Sequence, residues 1–420
     1  MKTLASTKIS VLDLARIKEN HLMKLLLIFS FLFWCLSASA TMSGEEKDAI
    51  TQLRKTAAES LTANIITLPS GSYLVAGQHQ YKTLWTRDFC HSIRGLLKIG
   101  RADVVRSHLT KLVEQARPSD GLVPRVIDSI PVQVRVVLAA LHFAPPIQDP
   151  LYASYVDEHG SEAIDSNALV ILGALDYVES TNDQVWWATH ERQLIAIVKF
   201  YESRRRADGL IVQTPFSDWQ DSVNRGGVTS YANLLYLRAL TLLAQKAAFG
   251  INPADVAVLK SRIKTVFFKD GLYHALENDA HISLEANLLA LKWDFDGQSL
   301  YQTLKASALW QSKSGVPGFA TTPDYPYDWK NWPSKLVGVT GYHDEVTWSW
   351  LTALSGNVAR HEADGHEALR IFLKLAKMAA RDGVIGEIYD TDPTLAPYRH
   401  WLYYSETPFS WGAANILEAL

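Results

Sequence analysis

The spacing between helical segments constrains this chain more than any other feature. From Ser43 onward strand-like alternation is scarce and apolar residues recur at the helical period. Segments 43–63, 87–98, 101–117, 162–180, 182–205, 229–247, 252–267, 281–291, 297–309, 344–358, 361–381 and 408–420 read as twelve helices. Ser43 and Asn182 read as N-caps, and Asn252-Pro253-Ala254 as a cap followed by a first-turn proline. The gaps between helices one and two, three and four, and so on to eleven and twelve run from about 13 to over 40 residues. The gaps between the other neighbours are about one to five residues, a length that joins antiparallel helices. Helices that alternate up and down then send every long loop to one end and every short one to the other. An all-α double ring of twelve helices, the (α/α)6 barrel, meets that requirement. It is the expected fold of a single domain over residues 41–420.

Lys24, the apolar run Leu25–Leu36 and Ser37-Ala38-Ser39-Ala40 read as a signal peptide over residues 1–40. Met23 is a possible true start. The run is too short to span a bilayer. Cleavage after Ala40 would export the protein to the periplasm or the exterior, with no membrane attachment; an uncleaved anchor is the other option. Cys35 lacks the small residues that precede a lipoprotein cysteine. Cys90 is then the only cysteine left, which predicts no intramolecular disulfide and a small buried apolar residue. A formal net charge of −3 supports no nucleic-acid or membrane-surface partner. A monomer is expected.

The long loops hold the chemistry. The first ends in Trp85-Thr86-Arg87-Asp88, and the second contains "DGLVPR" (Asp120–Arg125) and leads to Asp165-Ser166-Asn167. The third holds "SDWQDS" (Ser217–Ser222), and the fourth "KDGLYHA" followed by Glu285 and Asn287. The fifth has Tyr325, Tyr327, Trp329 and Trp332, then "GYHDEVTWSW" (Gly341–Trp350). The sixth has "GEIYD" (Gly386–Asp390) and "YYSETPFSW" (Tyr403–Trp411). Tryptophan and tyrosine faces stack on the apolar face of sugar rings, and Asp, Asn, Arg and His bind hydroxyls. No metal-ligand spacing, phosphate loop or G-x-S-x-G elbow occurs, so no metal and no cofactor is expected.

"WTRDF", "DSNALVILGALDYVESTND", "SDWQDS", "LEANLLALKW", "GYHDEVTWSWL", "GEIYD" and "PFSWGAANILEAL" together resemble the six-hairpin glycosidases. The nearest in character are the glycogen-debranching amylo-α-1,6-glucosidase domains, glycoside hydrolase family 63 and the neutral invertases. The resemblance runs from about Trp85 to Leu420 and implies an inverting glycosidase acting on a carbohydrate. It implies Asp221 as general acid and Glu387 as general base, about 6.5–9.5 Å apart with water between. Asp221 would have to keep a proton near neutral pH, with Asp218 as a neighbouring charge, and Glu387 would have to stay ionised. Glu406 competes for the base role. Substrate contacts are expected from Trp85, Arg87, Asp88, Asp165, Asp218, Trp219, His343, Asp344, Trp348, Glu406 and Trp411. Bulky loops on all sides predict a dead-ended acidic pocket that takes one terminal, α-linked sugar. Other carbohydrate-active enzymes on the same barrel, namely unsaturated-glucuronyl hydrolases and polysaccharide lyases, stay open, as does a silent carbohydrate-binding protein. Sugar, linkage and chain length are not legible.

Overall fold

A computed structural model describes residues 42–420 apart from His142 and Trp401. The leader expected over residues 1–40 lies outside the described residues. Up to Ala49 the described chain holds the start of α1 (Gly44–Ala63). Ser43 is its cap: Ser43 Oγ accepts from Glu46 N at 3.1 Å, and Glu46 Oε2 accepts from Ser43 N at 2.8 Å.

The unit from Ile50 to Leu420 carries the remaining helices: α2 (Thr86–Lys98), α3 (Ala102–Glu114), α4 (Val132–Ala140), α5 (Ile164–Thr181), α6 (Gln184–Lys199), α7 (Ser230–Leu243), α8 (Pro253–Phe267), α9 (Leu284–Lys292), α10 (Gln298–Ala306), α11 (Trp332–Val337), α12 (Ser349–His361), α13 (Gly365–Asp382) and α14 (Ser410–Ala419). Six form a closed circuit of neighbours. α2 packs on α5, α5 on α7, α7 on α9, α9 on α12, α12 on α14, and α14 back on α2. Each of α3, α6, α8, α10 and α13 packs on the circuit helix that precedes it in the chain.

Sequence explains the two layers. α5 buries twelve of its 18 residues and α9 eight of its nine, as helices covered on several sides must. α3 buries only Val104, Val105, His108, Leu109, Leu112 and Val113, one stripe at helical spacing. The circuit closes tightly because Gly95 lets α2 approach α14: a Cβ there would lie 2.6 Å from Ala414 Cα.

Twelve of the helices answer to the expected segments, with shifted ends. Asn182 is not an N-cap. It closes α5 in the left-handed region (φ 57°), which asparagine tolerates, and Asp183 caps α6 by accepting from Trp186 N. Asn252 does cap α8, accepting from Ala254 N. The segment expected over 182–205 ends its α-helical part at Lys199 and continues as a 3-10 turn, Phe200–Arg204. α4 and α11, not expected, lie inside the two longest loops.

Short strands stitch the loops together: β1 (Ile65–Leu68) with β2 (Gly71–Leu74), β3 (Leu84–Trp85) with β4 (Val126–Asp128), and β4 also with β5 (Tyr152–Ser154). β6 (Phe268–Lys269) pairs β7 (Leu272–Tyr273), β8 (Ile282–Ser283) pairs β9 (Thr321–Thr322), β10 (Thr347–Trp348) pairs β11 (Ile388–Tyr389), and β12 (Arg399–His400) pairs β13 (Tyr403–Tyr404), all antiparallel. β3, β8 and β10 run straight into α2, α9 and α12. Each ladder thus ties the start of a circuit helix to a later long loop.

Candidate active site

The β10–β11 ladder sets Trp348 opposite Ile388, and Ser349 N donates to Glu387 O at 3.0 Å. Trp85 precedes α2, Arg87 and Asp88 stand in its first turn, and Trp411 stands in the first turn of α14. These placements build one cavity at the N-terminal ends of the circuit helices. Its empty space, open solvent at the mouth included, is about 440 Å³. Trp85, Arg87, Asp88, Trp219, Asp221, Trp348, Glu387 and Trp411, all singled out in the sequence, line it. Tyr81, Tyr342 and Phe409 complete the wall and were missed.

Two of the three carboxyl groups lining it, Asp221 and Glu387, sit in unlike settings. Asp221 Oδ2 accepts from Arg125 Nη2 at 2.8 Å and Arg87 Nη1 at 3.3 Å. Its side chain is 29% exposed, and Oδ1 has no hydrogen-bond partner among the described residues. Glu387 is buried. Its Oε1 accepts from Tyr342 OH at 2.5 Å, and its Oε2 from Tyr403 OH at 2.6 Å and Glu406 N at 3.2 Å. Tyr81 OH lies 3.1 Å from Tyr342 OH, extending the hydroxyl chain. Burial pushes the Glu387 carboxyl up to about 8, against the two tyrosine hydroxyls, which favour its charged form. Burial also raises Asp88 to about 7, opposed by Arg87 beside it. Arg87 is locked in place by Asp165, through Nε to Oδ2 at 2.6 Å.

Five expected contact residues do not line the cavity. Asp165 is buried behind Arg87. Asp218 is consumed by Arg225 (Nε to Oδ1, 3.1 Å), Gln213 Nε2 (2.9 Å) and Gln220 N (3.0 Å). Asp344 accepts from Tyr325 N at 2.7 Å and pairs with Lys330. His343 stacks on Trp348, with ring centres 5.6 Å apart, and burial keeps it neutral. Glu406 is buried and accepts from the backbone N–H groups of Gln78 and His79, both at 2.7 Å, and of Tyr81 at 3.0 Å. Gly77 makes room for it: a Cβ there would lie 2.0 Å from Glu406 Cγ. Glu406 clamps the turn that delivers Tyr81. That pairing joins positions more than 320 apart, so no local signal announces it. Arg125 was visible only as the end of "DGLVPR".

Trp219 stands edge-on to Trp348, Trp350 and Trp411, at 5.4, 4.9 and 6.1 Å between ring centres. The indole N–H groups of Trp85, Trp219 and Trp411 are buried without partners. Unpaired buried donors call for water or a ligand. The arrangement can hold a hydroxyl-rich ring between indole faces, with carboxyl groups available to donate and accept protons.

No protein-family model matches the chain, and no curated protein matches it in sequence. Solved structures do. A wild-type glycosidase aligns over 90% of this chain and 98% of its own, at 14% identity and a TM-score of 0.63. A variant glycosidase in complex with glucose aligns over the same shares, at 14% identity and 0.63. A family 63 mannosylglycerate hydrolase from Thermus thermophilus, solved with Tris and D-glycerate, aligns over 87% of this chain and 99% of its own, at 16% identity and 0.59. The chain therefore has the fold of these glycosidases, as its resemblance to the six-hairpin glycosidases implied.

Proposed function

We propose that the protein is an exported, monomeric, inverting glycoside hydrolase built on an (α/α)6 barrel, and that it removes one terminal α-linked sugar. The observation that carries this reading is that Asp221 and Glu387, two of three lining carboxyl groups with Asp88 the third, stand in one tryptophan-walled cavity. The closed circuit of helix neighbours supports the barrel. Asp221, with Oδ2 gripped by two guanidinium groups and Oδ1 free, gives its proton to the glycosidic oxygen. Glu387, held by Tyr342, Tyr403 and the Glu406 backbone, takes a proton from water attacking the opposite face of the sugar. The oxygen–carbon bond to the leaving group breaks as the water–carbon bond forms, which inverts the anomeric carbon. Arg87, Asp88 and the indoles bind hydroxyls.

One observation favours the reverse roles. A glutamic acid whose carboxyl is raised to about 8 carries a proton at neutral pH, which suits a donor. Leaving groups separate the two assignments. The mature protein is screened on α-glucosides, α-mannosides, trehalose, sucrose and glycerate glycosides, with the first-released anomer followed by NMR. Asp221→Asn and Glu387→Gln are each compared on poor and good leaving groups. Rescue of Asp221→Asn alone by a glycosyl fluoride supports the assignment above; rescue of Glu387→Gln alone reverses it. Retention of the anomeric configuration, or no hydrolysis of any glycoside, removes the inverting-hydrolase reading.

A further inference from the structure

Apolar side chains crowd the end of the molecule where the cavity opens. Of the twelve large hydrophobic side chains exposed among the described residues, all but Val185 and Val258 lie in three of the long loops at that end. Two of those loops fold into helices of their own. At the start of α11, Asn331 N donates to Ser222 O at 2.8 Å and Asn331 Nδ2 to Asp221 O at 3.4 Å. At its other end Gly338 packs on the His400 ring, where a Cβ would lie 2.5 Å from the ring. His400 pairs with Tyr403, whose hydroxyl donates to Glu387. α11 thus ties the loop of Asp221 to the hairpin that holds Glu387. Along it Trp332 and Leu336, one helical turn apart, are 61% and 64% exposed.

α4 follows the same pattern by a different device. It stands on β4, which continues from Arg125 and pairs with the strand ending at Trp85. A surface helix ordinarily points its charges outward and its apolar stripe inward. α4 is inverted: Arg135 is fully buried and paired with Asp128, while Val134, Val137, Leu141 and then Phe143 are exposed. The ion pair fixes that orientation, so the outward apolar face is built in.

We propose that this rim receives an apolar leaving group, so that the substrate is a glycoside of an alkyl or aryl body. This rests on the glycosidase reading. The leaving group must lie beside the proton donor, and α11 is hydrogen-bonded to the backbone of Asp221 itself. The exposed alkyl groups of Leu336, Val134, Val137 and Leu141 favour an apolar body over a second sugar, and Gln133 is the one polar side chain exposed on α4.

The test uses methyl and hexyl 1-thio-α-D-glucopyranosides and the matching mannosides, which resist hydrolysis, titrated against the full chain by tryptophan fluorescence. Each buried methylene strengthens binding by up to about fourfold, so the hexyl compound should bind at least about tenfold tighter than the methyl. Trp332→Ser/Leu336→Ser should abolish that gain and leave methyl glycoside binding unchanged. Equal binding of hexyl and methyl compounds overturns the proposal, whether or not the oxygen glycosides are hydrolysed. Hexyl preference without hydrolysis of any glycoside sinks the hydrolase reading and leaves the apolar rim standing. A dimer in sedimentation that the double substitution dissociates assigns the face to a second copy and overturns the proposal too.

Discussion

Glu387→Gln gives a test of the site that needs no substrate. In the folded protein the Glu387 carboxyl is raised to about 8; in the unfolded chain it returns to about 4.5. The folded state therefore holds a proton that the unfolded state has lost. The resulting stability is fully present below about pH 4.5 and is lost as pH rises through 8. Stability must fall with pH wherever the folded state binds more protons. Between pH 7 and 9 a group titrating near 8 gives up about one proton-decade, roughly 1.4 kcal/mol. Asp88, raised to about 7, acts in the same direction, but it is half titrated at pH 7 and is present in both proteins. The buried His91 and His108, lowered to about 3, act in the opposite direction, and their effect is nearly complete by pH 7. Glutamine keeps the shape and removes the titration. Urea unfolding at pH 7 and pH 9, followed by tryptophan fluorescence, should show the wild type losing about 1.4 kcal/mol more than the variant. Equal losses would refute the account of Glu387 as a buried carboxyl that keeps its proton to about pH 8.

If Glu387 is the base, kcat/KM of the wild type should climb with an ascending limb near pH 8; if it is the acid, the limb there descends, and a pH–rate profile decides. Asp221→Asn should lose about 10²–10⁴-fold on alkyl glycosides while still binding them, as measured by steady-state kinetics alongside calorimetry. Glu406→Gln leaves the Tyr81 N–H facing an amide donor, which should cost about 1–3 kcal/mol of stability. Loss of turnover in that variant with unchanged stability, beside a Glu387→Gln variant of normal turnover, would make Glu406, not Glu387, the base. Gly95→Val forces a side chain into the α14 backbone and should destabilise by at least about 1–3 kcal/mol in urea melts.

The helices were legible because burial imposes a period on sequence. α3 shows its stripe directly, and even the all-round buried α9 stands out as a run of apolar residues. The cavity walls were legible in part because Trp85, Trp219, Trp348 and Trp411 fall where core filler is not needed. What was not legible depends on partners distant in the chain. Asp165, Asp218 and Asp344 look like hydroxyl ligands in sequence, yet each is spent on a buried cation: Arg87, Arg225 or Lys330. Glu406 likewise resembles a free acid until the turn at Gly77–Tyr81 closes over it. α4 escaped notice because its periodicity is inverted, and α11 because six residues are too few to show one.

The circuit of helices closes through contacts of very long sequence separation. Asn64 Nδ2 meets Ser410 Oγ across 346 residues, and Gly95 receives Ala414. Loop-closure entropy grows slowly with length, about 0.6 kcal/mol per doubling, so the seam is affordable in equilibrium terms. High contact order slows folding, so closure of the seam is the expected slow step. Until α14 docks, α2 presents an open groove beside Gly95, and the turn that carries Tyr81 lacks Glu406 as its anchor. The same seam gives the fold one point of mechanical closure. A cut in the loop just before Glu406 would leave both α14 and the anchor of the Tyr81 turn held to the rest by noncovalent contacts alone, coupling the integrity of the ring to the integrity of the site.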